Sequence, residues 1–295
     1  MNLVGELAAA GLVVTDGAWG TAMQARGLPP GECPDGWNLS HPERVEEVAR
    51  AYVEAGSRVI LTNTFRANRL SLAGHGLGEH VSEINRKGAE ISRRAAAATA
   101  RVFASIGPTG KLLVTGETSE EELRAVFAEQ ARALAAGGAE AILIETMSDL
   151  AEAKIALAAA RQTGLPAVVS MAFDSGKNKD RTIMGVTPEQ AARELTEAGA
   201  DAVGANCGSG TTAYVPLCRR LRAATHLPIW IKPNAGLPEL VEGRTVWRTT
   251  PAEFAAQAAA LVEAGAAFIG GCCGTTPDFV RALAQALRAA RAARS

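Results

Sequence analysis

Residues 50–63 read Arg-Ala-Tyr-Val-Glu-Ala-Gly-Ser-Arg-Val-Ile-Leu-Thr-Asn, and the phrase returns three times. Gly137-Gly138-Ala139-Glu140 precedes AILIE, Glu197-Ala198-Gly199-Ala200 precedes DAVGAN, and Glu263-Ala264-Gly265-Ala266 precedes AFIGG. Each is the end of an Ala-rich amphipathic helix, then a Gly able to take the left-handed cap conformation, then a short apolar run. That is a helix-to-buried-strand connection. Two further apolar runs follow Leu165-Pro166 (AVVSM) and Leu227-Pro228 (IWIK). With LVVT at 12–15 and VFASI at 102–106 there are eight candidate strands.

The helices between them carry start signals. Ser40-His41-Pro42-Glu43, Ser119 with Glu122, Thr187-Pro188-Glu189-Gln190 and Thr250-Pro251-Ala252-Glu253 read as capping boxes, three with Pro at the first helical position. Short, continuously apolar strands alternating with helices imply a parallel sheet covered on both faces. Eight such units in 295 residues predict a single (β/α)8 barrel domain over 1–295. A doubly wound open sheet is the alternative, but no Gly-rich dinucleotide fingerprint follows the first strand. The stretches Met23–Leu39 and Phe173–Val186 are the longest expected loops, and both follow predicted strands.

Composition narrows the function. Hydrophobic residues are 47% and charged residues 21%, enough for a large core and unlike a disordered chain. A formal net charge of -1, without a basic stripe interleaved with aromatics, argues against a nucleic-acid partner. The one basic cluster, Arg288 to Arg294, reads as the solvated end of a last helix. No run reaches the roughly 18 apolar residues of a membrane span, and the N-terminus lacks the basic region of a signal peptide. Five cysteines, two of them adjacent, fit a disulfide framework poorly. A cytoplasmic, reduced protein is expected.

In such a barrel the active site forms at the C-terminal ends of the strands. Read in order, those ends carry Asp16-Gly17, Asn63-Thr64, Gly107-Pro108-Thr109, Glu145-Thr146, Asn206-Cys207-Gly208, Asn234-Ala235-Gly236 and Cys272-Cys273-Gly274. Cys207, Cys272 and Cys273 end strands six and eight, close enough around a closed barrel for three thiolates to meet at one Zn²⁺ with a fourth position open. Gly270, Gly271 and Gly274 let the backbone turn tightly enough for adjacent side chains to face one point. Buried small hydrophobes are the competing reading for any one of these cysteines. Cys33 and Cys218 lack such context and read as structural, and none of His41, His75, His80 and His226 sits where a ligand is needed.

Three thiolates on Zn²⁺ leave a negative charge, which suits a substrate thiol that must stay electron-rich more than a hydroxide. Such a site points to alkyl transfer onto sulfur. Asp16 and Glu145 are candidates to hold an ammonium group of the substrate by charge-assisted bonds, although Asp16 is also compatible with an ordinary Asp-Gly turn. Asn234 could bond the substrate, act as a weak oxygen ligand, or simply form a turn.

At these residues the chain resembles the homocysteine S-methyltransferase family. The phrases TDGAWGT, LTNTF, IGPTGKLL, LIETMSDLAEAKIAL, GANCG, KPNAGLP and GGCCGTTPDFV are collinear with the family over essentially the whole length. The pair GANCG and GGCCGT is the most specific. KPNAGLP and GGCCGT bring the chain nearest to the homocysteine-binding module of the cobalamin-dependent methionine synthases. The resemblance implies that Cys207, Cys272 and Cys273 bind zinc, that Asp16 and Glu145 hold the amino-acid end of homocysteine, and that Asn234 is a fourth ligand. Those multi-module relatives also contain folate- and cobalamin-binding modules, which are not expected in this sequence. The methyl group is therefore expected from a methylcorrinoid on a partner module or protein. S-methylmethionine or betaine would serve a self-sufficient enzyme, and a non-catalytic zinc- or thiol-binding barrel is the alternative of another class. Trp19 stands near enough to the site to affect the donor's approach.

Overall fold

The computed structural model describes residues 2–241 and 244–292; Glu242, Gly243 and the end of the Arg-rich tail at 293–295 lie outside them. Eight parallel strands, β1 (Val13–Val14), β2 (Val59–Leu61), β3 (Arg101–Ile106), β4 (Ala141–Met147), β5 (Ala167–Met171), β6 (Ala202–Gly210), β7 (Ile229–Asn234) and β10 (Ala266–Ile269), form one sheet. A further antiparallel pair, β8 (Pro238–Val241) and β9 (Arg244–Trp247), is a hairpin inserted after β7. The sheet order is β1-β10-β7-β6-β5-β4-β3-β2, and a parallel bridge between Thr15 and Val59 joins its two edges. The result is the expected (β/α)8 barrel, in which closure leaves no edge to aggregate.

All eight predicted apolar runs are barrel strands. The repeated helix ends behave as their sequence demands: Gly56, Gly138, Gly199 and Gly265 all have positive φ, where a Cβ would be strained. Ser119, Thr187 and Thr250 each accept a backbone N–H three residues on, and Thr250 with Glu253 completes a reciprocal box. The fourth expected box is absent. Ser40 belongs to the preceding short helix Trp37–Ser40, and helix Pro42–Ala55 starts at His41 with no side-chain cap. Pro42 and the fixed φ it supplies set that start instead.

One apolar set fills the barrel interior: Val13, Val59, Leu61, Phe103, Leu143, Val168, Ala202, Trp230 and Phe268, drawn from every barrel strand. The Trp230 ring lies 5.2 Å from Phe268 and 5.8 Å from Phe103. Leu3, Val4 and Leu7 of the N-terminal helix Leu3–Ala9 pack against this set. The alternate strand positions face the surrounding helices in a second, larger cluster. Polar residues therefore concentrate at the C-terminal rim, above the filled interior. Among the described residues no helix is long and apolar enough to cross a membrane.

Candidate metal and substrate site

Cys207 lies within β6, Cys272 and Cys273 just beyond β10, and β7 runs between them in the sheet. Their sulfurs all lie within 4.8 Å of one another, and Cys207 Sγ is 3.8 Å from Cys273 Sγ. Two local distortions make this convergence. The register between β6 and β7 shifts after Asn206, and Cys207 takes a left-handed φ of 67°, which a non-Gly residue adopts only when its surroundings hold it there. The Tyr214 hydroxyl donates to the Cys207 carbonyl and supplies part of that hold. On the other side, Gly274 has φ of 80°, and a Cβ there would lie 2.3 Å from the Trp247 ring. The hairpin thus packs onto the loop that carries two of the thiols.

Asn206 ties these parts to β4 and β5. Its Oδ1 accepts from the Thr146 N–H and the Ser170 hydroxyl, and its Nδ2 donates to Thr146 Oγ1 and to Cys272 Sγ at 3.7 Å. The three thiols bias one another's protonation. Hydrogen bonds from Cys272 and Cys273 hold the Cys207 thiol far below its ordinary range, and their bonds to Cys207, together with burial, push Cys272 and Cys273 up. One anion is stabilised here by its neighbours; three require a cation. The buried Asn234 Oδ1 has no hydrogen-bond partner among the described residues, so an oxygen acceptor is also free at the end of β7. Three convergent thiols and an uncommitted oxygen suit a thiophilic metal ion.

The thiols border a cavity of about 300 Å³ that is also lined by Trp19, Asp35, Phe65, Ser105, Glu145 and Lys232. Glu145 is buried, its Oε1 accepts from Ser105 Oγ at 2.5 Å, and burial raises its pKa against the pull of Lys232. Asp16 is fully buried. Lys232 Nζ donates to its Oδ1, while Trp19 Nε1 and the Leu61 N–H donate to its Oδ2 at 2.7 Å each. Lys232 closes the apolar run of β7 and was not anticipated from sequence as a site residue. The signal was present, since a Lys ending a buried strand needs an acid, and Asp16 is that acid. Trp19 reaches the site as expected, but its indole N–H is spent on Asp16.

The expected loop Met23–Leu39 folds partly into short helical turns, Pro34–Gly36 and Trp37–Ser40. Asn63 Nδ2 donates to the Pro34 carbonyl, and Asp35 Oδ1 accepts from the Arg66 N–H, so the end of β2 carries this loop to the cavity. The loop Phe173–Val186 bridges across itself at Ser175 and Arg181. Cys33 donates toward Asp35, and buried Cys218 toward the Leu261 and Ala264 carbonyls. Neither belongs to the thiol cluster, and among the described residues no histidine joins a metal-binding group.

A model of the homocysteine S-methyltransferase family matches residues 13–287. The methionine synthase of Mycobacterium tuberculosis is 32% identical over 292 residues, 94% of this chain and 24% of that protein. That of Mycobacterium leprae is 32% identical, over 96% of this chain and 25% of its own length. The chain spans about a quarter of the length of these curated relatives. Among solved structures, the homocysteine methyltransferase MmuM of Escherichia coli in its oxidized form is 25% identical, with a TM-score of 0.77 over 96% of both chains. Its metallated form, 24% identical over 96% of this chain and 99% of its own, has a TM-score of 0.80, a likeness of fold.

Proposed function

This chain belongs to the homocysteine S-methyltransferase family, and we propose that it methylates the thiolate of L-homocysteine at a zinc ion held by Cys207, Cys272 and Cys273. The observation that carries the reading is the meeting of three thiols at the wall of a cavity that also holds Glu145. Sulfurs around a tetrahedral zinc at a Zn–S distance of about 2.3 Å stand ~3.8 Å apart, close to the 3.8 Å between Cys207 and Cys273. Asn234, with its free Oδ1, is the candidate fourth ligand before substrate binds. When bound, zinc supplies the positive charge that keeps a substrate sulfur deprotonated at neutral pH.

The chain's own residues then hold the acceptor. Glu145 has one oxygen engaged by Ser105 and one open for the α-ammonium. Asp16, with both oxygens engaged, contributes to the same end through Lys232. The barrel interior closes the cavity from below, so the methyl group arrives from the mouth. The substrate sulfur attacks that methyl in line: a sulfur–carbon bond forms, the bond from carbon to the donor breaks, and its electron pair leaves with the donor. Holding both partners in line accounts for much of the acceleration.

We assign the donor to a methylcorrinoid carried by a partner module or protein, which fits the surroundings of the mouth. Among the described residues, every exposed large apolar side chain lies on the loops after β3, β5 and β7. Val114, Ile183 and Leu240 are each more than two-thirds exposed. Exposed apolar side chains confined to this end of the barrel support an interaction surface there. The test is turnover: zinc-loaded protein, homocysteine and methylcobalamin should give methionine, and the metal-free protein should not. Zinc and homocysteine binding with no turnover on any methyl donor would favour a binding protein instead.

A further inference from the structure

Asn206 is fully buried within β6, next to Cys207, and its amide reaches three other parts of the barrel. Oδ1 accepts from the Thr146 N–H at 2.9 Å and from Ser170 Oγ at 2.7 Å, while Nδ2 donates to Thr146 Oγ1 at 2.6 Å and to Cys272 Sγ at 3.7 Å. That is the whole capacity of an Asn amide, two acceptor positions and two donors. Its orientation is fixed by the chemistry of its partners. The Thr146 N–H can only donate, so it holds Oδ1 toward β4 and leaves Nδ2 for the sulfur. Thr146 is itself a β-branched residue with φ of 60°, a conformation that persists only where the surroundings hold it. The β4–β5 register shifts around it, between Ile144 and Met147. Asn206 bonds both its N–H and its hydroxyl, so the strained turn and the buried amide lock each other.

We propose that Asn206 is a positioning residue for the metal-held thiolates: its N–H stabilises the negative charge on Cys272 Sγ and fixes that sulfur relative to Cys207, the chain neighbour of Asn206. The inference rests on the reading above, that Cys207, Cys272 and Cys273 hold a metal ion. A thiol that binds a metal gives up its proton, and Cys272 can then only accept. The bond from Asn206 becomes charge-assisted and stronger than the one made to a neutral thiol. It matters because three thiolates exceed the charge of a divalent ion by one, and a substrate thiolate adds another. An N–H on one sulfur draws charge from it and leaves the metal a better acceptor for the next. The competing role is packing alone, an amide that fills a gap and holds Thr146, with its contact to sulfur incidental.

Zinc competition against a chelator, together with the absorption spectrum of the Co(II)-substituted protein, separates the two roles. Asn206→Ala should hold zinc less tightly by about 10-fold or more, the scale for losing a hydrogen bond that orients a metal ligand. Its sulfur-to-cobalt charge-transfer band should move to lower energy, because a sulfur without the N–H gives up an electron more easily. Ser170→Ala removes a different partner of the same amide and leaves its N–H on the sulfur, so affinity and band should both stay at the wild-type position. An unmoved band or wild-type zinc affinity in Asn206→Ala would make Asn206 a packing residue and overturn the assignment, as would a band that moves as far in Ser170→Ala. The wild-type protein offers a check that needs no variant to fold. The side-chain N–H proton of Asn206 that faces Cys272 should shift downfield in the NMR spectrum when zinc replaces the thiol protons, and an unmoved resonance also overturns the proposal. Protein that takes up neither zinc nor cobalt would refute the metal reading itself, a different result from a missing shift.

Discussion

Cys207 Sγ and Cys273 Sγ lie 3.8 Å apart although 66 residues separate them in the chain. With Cys272 they form the only group of three or more potential metal-binding side chains this close among the described residues. The purified protein, kept reduced, should carry about one zinc per chain. Cys207→Ser, Cys272→Ser and Cys273→Ser should each lose most of it. Cys33→Ser and Cys218→Ser should not, because both thiols are buried away from the cluster and burial pushes Cys218 up to about 12. Metal analysis of the five variants decides, and full zinc in Cys272→Ser would remove the basis of the site.

Homocysteine should change the metal's surroundings, and Glu145 should govern how tightly it does so. X-ray absorption should count three sulfurs without substrate and four with it. An unchanged count at saturation would place the thiol elsewhere. Glu145→Gln keeps an oxygen for Ser105 but loses the charge offered to an ammonium. It should weaken homocysteine binding by roughly 1.5–3 kcal/mol and spare zinc.

Gly274→Ala tests whether the hairpin sets the thiol geometry. The added Cβ would meet the Trp247 ring at 2.3 Å, on a residue with φ of 80°, so both backbone strain and overlap oppose it. A loss of about 1–3 kcal/mol of stability is expected, with weakened zinc retention because Cys273 is the preceding residue. Unfolding by urea and metal analysis on the same samples would show both; a variant with wild-type stability and zinc would mean the hairpin moves aside freely.

Much of this architecture was legible in the sequence because each barrel strand is short, apolar and preceded by its own punctuation. Gly56, Gly138, Gly199 and Gly265 announce four strands, and the thiols fall at the ends of the last two of these in a fold whose strand ends converge. What the sequence withheld is of another kind. The hairpin β8–β9 contains Pro238 and a charged stretch and has no apolar alternation, so its value lies in Trp247 covering Gly274, a long-range contact. The helix Leu3–Ala9 was hidden because it is short and only Ala10 and Gly11 separate it from the apolar run that enters β1. The saturation of Asp16 depends on Lys232, which is 216 residues away. No local pattern reports such a pair.

Asp35 should leave a mark on the pH dependence of stability. It is 3% exposed, and burial raises its pKa to about 6 against the pull of the Arg66 N–H. Between about pH 4 and 6 the folded protein keeps a proton that the unfolded chain has released, so this carboxyl lowers stability as pH rises through that window. The loss is complete above about pH 6 and amounts to roughly 3 kcal/mol as an upper scale. Asp35→Asn retains an oxygen for Arg66 and cannot ionise. Relative to wild type it should gain stability from pH 4 to pH 7, on the order of 1–3 kcal/mol, in urea unfolding at a series of pH values. Glu145 and Glu152, also raised by burial, affect both proteins alike. Parallel curves would show that Asp35 is reached by water or by a partner charge.

The donor is decided by a direct comparison. A corrinoid is far wider than a cavity of about 300 Å³, so its methyl must be presented from above, with the ring resting on the rim where Val114, Ile183 and Leu240 stand exposed. Free methylcobalamin lacks the protein that would orient it there, and slow, zinc-dependent methylation of homocysteine is expected. A sulfonium donor such as S-methylmethionine is small enough to enter the cavity, where it would meet the Trp19 and Phe65 rings and the Asp35 carboxylate. Aromatic faces and a carboxylate favour a cation, which makes this the serious competitor. Betaine carries the same charge as a quaternary ammonium, but its best recognition is an aromatic cage, and the cavity offers two rings. Initial rates with each donor at matched zinc content separate the readings. If S-methylmethionine turns over at about 1 s⁻¹ or faster while methylcobalamin gives nothing above background, the corrinoid assignment is wrong. The apolar rim would then need another occupant, and the protein would act by itself on a sulfonium.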